Sequence, residues 1–236
     1  MNFEMILKKY YHFLISNMPV YYLICGYRGT GKDTLYKSFI GDKTFSWKKF
    51  QYKNIPSNFI LTDNYNPIDK ESPNSKLVRF GFADSLKLEV LKILGLPFFN
   101  HELYKDKTLF EIEEVLKYKI PYSIDKNKTL RDLYILFGTS ERLKNQYHWC
   151  EKVYQQIKDE DFVVITDFRY PNEKDFFLDK GEVITIRVFR KDVIPAGLEV
   201  ENEHLLDTFK TDLVYLPEQN WEEEYEGLLK AFPQYK

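Results

Sequence analysis

The sequence predicts an α/β protein: a five-stranded parallel sheet with helices on both faces. Three observations lead there. Short apolar runs rich in β-branched and aromatic residues alternate with segments whose apolar residues recur at helical spacing. The first run, Val20 to Cys25, passes into a glycine-rich loop and then a helical pattern, VYYLICGYRGTGKDTLYKSF from Val20 to Phe39. A later run, Phe162 to Thr166, ends on Asp167, as a buried parallel strand does when it delivers a carboxylate to the active edge.

Composition sets the bounds. A chain of 236 residues, 44% of them apolar, suits one α/β domain over 1–236 with a sizeable core. A net charge of −2 argues against broad electrostatic binding to nucleic acid, which needs a basic surface. Cys25 and Cys150 have neither metal spacing nor a CxxC pattern and sit among apolar residues, so they read as buried, reduced thiols of an intracellular protein. Glu4, Lys8 and Lys9 interrupt the apolar N-terminus, which reads as an amphipathic extension and not as a signal peptide or membrane span.

The first strand and its loop carry the most specific signal. Gly26, Gly29 and Gly31 allow positive φ and close approach of the backbone to a ligand. Strand, loop and helix together form the context of a phosphate-binding loop, Gly26-Tyr27-Arg28-Gly29-Thr30-Gly31-Lys32. Its amides make an anion nest, the helix N-terminus adds about half a positive charge, and Lys32 supplies a point charge for the β- and γ-phosphates. Where the general pattern has Ser or Thr for magnesium, Asp33 stands, followed by Thr34; a carboxylate is also a good magnesium ligand.

Residues 42–76 lack a steady period and hold Pro56, Pro67 and Pro73, which reads as an irregular insertion with Trp47, Lys48 and Lys49 in a solvated loop. Leu77 to Phe82 is the second strand, and Arg79 within it is a candidate for an acceptor phosphate. Asp84 then caps a helix that Gly95 stops. Segment 98–130 is a candidate lid, with a capping box at Thr108 and Glu111. Thr129 and Asp132 start another helix, which Gly138 is expected to end; a long helix with Leu143, Tyr147, Cys150, Tyr154 and Ile157 in one stripe follows. After the strand ending at Asp167, a period of two places Asp167 and Arg169 together with Phe168 turned away. Pro171 starts the next helix, with Glu173 a candidate to face the cleft. Val183 to Val188 and Asp212 to Leu216 are the last strands. Arg187 and Arg190 lie near the end of the first of these, and Trp221 to Phe232 is a closing helix.

GlyLysAspThr at the end of the loop resembles the deoxynucleoside monophosphate kinases of phages and large viruses; animal-type phosphomevalonate kinases share a related pattern. PheAlaAspSerLeuLys from Phe82 to Lys87 and ThrAspPheArgTyrProAsnGlu from Thr166 to Glu173 resemble further segments of the first family. So does Leu130 to Trp149, although Ser140 loosens its GlyThrGlu-x-x-Arg element. The resemblance implies a P-loop kinase fold of strand order 2-3-1-4-5 and ATP-dependent transfer to a (deoxy)nucleoside monophosphate. It implies ATP held by the loop from Gly26 to Thr34 and by Arg190, with Mg2+ near Asp33 and Thr34. Arg131, Arg142 and Arg169 are then clamps on the transferring and acceptor groups, and Asp167 organises the metal or the attacking phosphate. Arg79, Phe82, Asp84, Gly138, Thr139, Trp149 and Glu173 shape the acceptor site, with Phe82 and Trp149 stacking on a base. Small-molecule nucleotides, neither nucleic acid nor membrane, are the expected partners. A homodimer and the cytoplasm (the host's, for a viral protein) are the expected setting. A phosphomevalonate-type kinase and a non-catalytic nucleotide-binding module remain the alternatives.

Overall fold

A computed structural model describes residues 18–54, 77–96, 101–121, 123–193 and 204–236. The N-terminal extension, Pro56, Pro67 and Pro73, and Glu201 to Glu203 lie outside the described residues. The chain divides into two compact units, residues 81–156 and the remainder.

The larger unit is an α/β structure built on a six-stranded sheet ordered β2-β6-β5-β1-β4-β3. The strands are β1 (Val20–Cys25), β2 (Trp47–Gln51), β3 (Leu77–Phe80), β4 (Phe162–Ile165), β5 (Glu182–Val188) and β6 (Leu213–Pro217). Five run parallel, in the spatial order expected of them: Leu77–Phe80, Phe162–Ile165, Val20–Cys25, Glu182–Val188, Leu213–Pro217. All six residues of β1 are buried, which is why parallel strands covered on both faces read as unbroken apolar runs.

The sixth strand corrects the sequence reading. Trp47–Gln51 is no solvated loop; it pairs antiparallel with β6, from Trp47 opposite Pro217 to Gln51 opposite Leu213, so the sheet is mixed. Trp47 is buried on one face, where its Nε1 donates to Ser38 Oγ at 3.1 Å, and Phe50 stacks on Tyr225 on the other. Lys48 and Lys49 lie between them on an edge strand, where lysines discourage further pairing.

Helices cover both faces. Leu35 and Phe39 of α1 (Lys32–Phe39) join Tyr22, Ile24, Val164 and Ile186 in one core layer. On the opposite face Phe177 of α7 (Pro171–Phe177) packs on Tyr21 with ring centroids 4.7 Å apart. There too Leu228 of α8 (Trp221–Ala231) meets Val214 and Leu216.

The smaller unit holds α2 (Phe82–Leu94), α3 (His101–Tyr104), α4 (Leu109–Leu116), α5 (Leu130–Lys144) and most of α6 (His148–Ile157). Asp84 does not cap α2: the N-cap is Gly81 and Asp84 sits in the first turn, while Gly95 closes the helix at φ 68° as expected. Both capping boxes form, at Thr108 with Glu111 and at Thr129 with Asp132. Gly138 does not end its helix. It is buried in mid-α5 because a Cβ there would stand 3.0 Å from Leu86 Cδ2, so close packing against α2 outweighs the local helix-breaking tendency. The following helix therefore begins at His148, and Leu143 is left exposed near the end of α5. The candidate lid packs into a core shared with α2 and α5, where Leu109, Ile112 and Ile120 are buried in one cluster with Leu91, Leu94 and Tyr134. No helix among the described residues is long and apolar enough to cross a membrane.

Candidate functional site

The loop after β1 has the geometry its glycines permit. Gly26, Gly29 and Gly31 take φ of 144°, 91° and 95°. Between them a tight turn closes: Thr30 N and Thr30 Oγ1 both donate to Tyr27 O, at 3.2 and 2.9 Å. α1 starts at once, with Leu35 N donating to Gly31 O at 2.8 Å. Lys32, its first residue, folds back so that Nζ donates to Gly26 O at 2.7 Å and Tyr27 O at 3.0 Å. The ammonium is thereby held against the loop backbone at the start of α1.

A cavity of about 20 Å³ lies beneath the loop, at the carboxyl ends of β1, β4 and β5. Lys32, Asp167, Arg169, Arg187, Cys25 and Gly26 are among the residues lining it. The strand order reverses at β1, so this is the crevice where ligands of open α/β sheets bind. Three cations and one carboxylate face it, a balance that favours an anion. Burial pushes the Cys25 thiol above its ordinary pKa, although Arg187 and Lys32 pull the other way.

Asp167 and Arg169 thus meet Lys32, but not through strand alternation. β4 ends at Ile165, Thr166 and Asp167 form a turn, and Phe168 after it also lines the cavity. Phe168 N donates to Ile24 O at 3.1 Å, and the Phe168 ring meets Phe209 edge-on. Glu173 is not a cleft residue. Its buried carboxylate accepts from Arg169 N at 2.9 Å and Tyr170 N at 3.1 Å, fixing the backbone at Arg169.

Other candidates stand elsewhere in the same unit. Arg28 is exposed on the loop. Asp33 is exposed in the first turn of α1, beside Thr34, and its Oδ1 accepts from Arg79 Nε at 3.1 Å. Arg190 is not on this cavity. Its guanidinium grips Asp192, with Nε to Oδ1 at 3.1 Å and Nη2 to Oδ2 at 2.6 Å, and it lines a separate cleft of about 450 Å³ with Ser46, Gln219 and Glu224.

In the smaller unit the structure overturns several expected roles. Trp149 is 1% exposed and its Nε1 donates to Gly138 O at 3.2 Å; Phe82 is 2% exposed. Neither ring is open to stack on a base, and the Gly138 carbonyl is already engaged. Arg131 pairs with Asp106, Nε to Oδ1 at 2.6 Å; Arg142 and Asp84 are half-buried and Thr139 is exposed.

Sequence reasoning passed over Tyr27 and Asp207 as site residues, and of the two arginines near the end of β5 it favours Arg190 over Arg187. Tyr27 Oη donates to Asp207 Oδ1 at 2.8 Å, and Asp207 Oδ2 lies 2.8 Å from His204 Nδ1, tying the loop to the turn at 204–208. The visible signal for Arg187 was a charge inside an otherwise apolar strand. In comparisons with known proteins, the chain matches no family model and no curated sequence.

Proposed function

We propose that the chain is an ATP-dependent (deoxy)nucleoside monophosphate kinase with a P-loop kinase fold. It moves the γ-phosphoryl of ATP to the phosphate of a nucleoside monophosphate, giving a diphosphate and ADP. The observation that carries this reading is the meeting of Lys32, Asp167 and Arg169 in one cavity beneath a glycine loop, at the point where the strand order reverses. The five parallel strands and the strand–loop–helix geometry support it further.

The chemistry asked of these groups is mostly alignment and charge stabilisation. The loop amides and Lys32 hold the donor phosphates. Arg169 offers a guanidinium to the equatorial oxygens, and Glu173 fixes its backbone in place. Asp167 orients the attacking phosphate, whose oxygen is already anionic and needs no strong base. The cleft beside Arg190 is of ligand-binding size, and chain segments near it touch the loop: a Cβ on Gly31 would lie 3.2 Å from Trp47, and one on Gly29 would lie 4.0 Å from Val193. It suits the nucleoside end of the donor.

Magnesium fits the residues present. Among the described residues no cluster of three or more His, Cys, Asp or Glu side chains exists to cage a metal. The exposed Asp33 carboxylate beside Thr34 suits an ion that takes its remaining ligands from phosphate oxygens and water. When bound, such an ion neutralises charge on the β- and γ-oxygens.

One observation favours a second acceptor. Burial of Phe82 and Trp149 leaves neither expected base-stacking ring available, which suits a phosphomevalonate-type acceptor that needs none. A coupled ADP-release assay with ATP, Mg2+ and a panel of deoxynucleotides, ribonucleotides and phosphomevalonate separates the two. Lys32→Ala should abolish turnover with an unchanged circular dichroism spectrum. Turnover retained in that variant, or ATP binding without product under every acceptor, refutes the kinase reading.

A further inference from the structure

We propose that Arg187 is an anion-binding residue of this site, and that the cavity beneath the loop receives one oxygen of a phosphoryl group against its guanidinium. The inference rests on the phosphate-binding reading of the loop and extends it to a residue of the central sheet.

Arg187 is the penultimate residue of β5, opposite Cys25 in the register, and is 2% exposed. Taking a guanidinium out of water costs several kcal/mol and is ordinarily offset by a paired carboxylate. Here every partner among the described residues is neutral. Nε donates to Tyr235 Oη at 3.1 Å, and Nη2 donates to Leu206 O and, at 3.2 Å, to Phe209 O. The guanidinium lies 4.1 Å from the centre of the Phe232 ring. These contacts orient the group without cancelling its charge. Asp207 attracts it from further off, but both Asp207 oxygens are engaged, by Tyr27 and His204. Nη1 has no hydrogen-bond partner among the described residues, and Arg187 lines the cavity.

Size and charge then select the ligand. With about 20 Å³ open to the centres of water-sized atoms, the cavity has room for a phosphoryl oxygen. One phosphoryl oxygen meets Arg187 there, and Lys32 and Arg169, which line the same cavity, are placed to meet the others. The excess of cations over Asp167 in the lining disfavours a neutral ligand. A tetrahedral oxyanion can reach several of these donors at once.

The test is the shift in melting temperature that tripolyphosphate (a donor mimic) and inorganic phosphate (an acceptor mimic) produce in wild type, Lys32→Ala, Arg187→Lys and Arg187→Met. Loss of a charged hydrogen bond predicts about tenfold weaker apparent affinity in Arg187→Met for at least one anion. The anion affected identifies whether donor or acceptor oxygen occupies the cavity. Wild-type affinity for both anions in both Arg187 variants overturns the inference while leaving the kinase reading intact. Anion binding that depends on Arg187, with no turnover of any acceptor, sinks the kinase reading alone. Should the variants fail to fold, a crystal of the wild type grown with tripolyphosphate decides. An anion oxygen within hydrogen-bond distance of Nη1 is expected; a water there, with the anion held only by the loop and Lys32, overturns the proposal.

Discussion

Gly26→Ala should be the most damaging single methyl in the phosphate loop. A Cβ there would stand 2.4 Å from Val188 O and 2.8 Å from Thr30 Oγ1. Neither neighbour yields easily. Val188 ends β5, and the Thr30 hydroxyl is held by Tyr27 O at 2.9 Å. Backbone strain at φ 144° adds to the overlap. Strain of this kind costs about 1–3 kcal/mol and overpacking a further 1–3, so the sum is about 2–6 kcal/mol. Gly29 gives the control: its φ of 91° carries similar strain, but the nearest atom to a Cβ is Val193 Cγ2 at 4.0 Å. Gly31, with Trp47 Cη2 at 3.2 Å, falls between. At about 2–4 °C per kcal/mol for a chain of this size, Gly26→Ala should melt roughly 10 °C below wild type, and Gly29→Ala by half of that or less. Thermal unfolding followed by circular dichroism reads the order directly. Equal losses at Gly26 and Gly29, or a Gly26→Ala protein as stable as wild type, would refute the close approach of the loop to β5.

Thr129→Ala removes one capping box and should cost about 1 kcal/mol, visible as a small drop in melting temperature. Backbone amides at the N-caps hold the Glu111 and Asp132 carboxyls below their ordinary range. Their folded pKa values are depressed, so the stability they add is present above about pH 4.5 and drains away as pH falls through the folded values. A far-UV titration should show the smaller unit losing helix on that acid limb, and a melting temperature flat from pH 5 to about pH 2 would contradict it. Asp33→Asn should leave stability nearly untouched, because its ion pair with Arg79 is largely solvent-exposed and worth about 0–1 kcal/mol. It should instead raise the Mg2+ concentration needed for half-maximal turnover. A lowered melting temperature with an unchanged Mg2+ requirement would make Asp33 a salt-bridge residue and nothing more.

Features imposed by the backbone were legible in the sequence. Positive φ at Gly26, Gly29 and Gly31 is a demand few other residues meet, and the unbroken apolar run of β1 follows from burial on both faces. Capping boxes depend only on a spacing of three, and both appeared where read. What depended on distant partners was not legible. Trp47–Gln51 is a strand only because β6, far along the chain, supplies its hydrogen bonds; its two lysines and the prolines after it look like a loop in isolation. Gly138 looks like a stop signal until Leu86 is placed against it. Trp149 and Phe82 look like stacking rings until the core closes over them.

The two arginines near the end of β5 show where the reading of the site went astray. Arg190 stands just past the strand, where the sequence places the phosphates. But a side chain beyond the sheet is free to find a nearby acid, and Arg190 found Asp192 two residues on. Arg187 had no such freedom. A strand buried on both faces offers a charge no route to solvent, so an arginine inside it must meet either a carboxylate or a cavity. Among the described residues its hydrogen bonds go to neutral acceptors, the Asp207 carboxylate attracts it only from further off, and it lines a cavity that Lys32 also lines. The charge more expensive to bury was therefore the more informative one, because none of its hydrogen-bond partners among the described residues is a carboxylate.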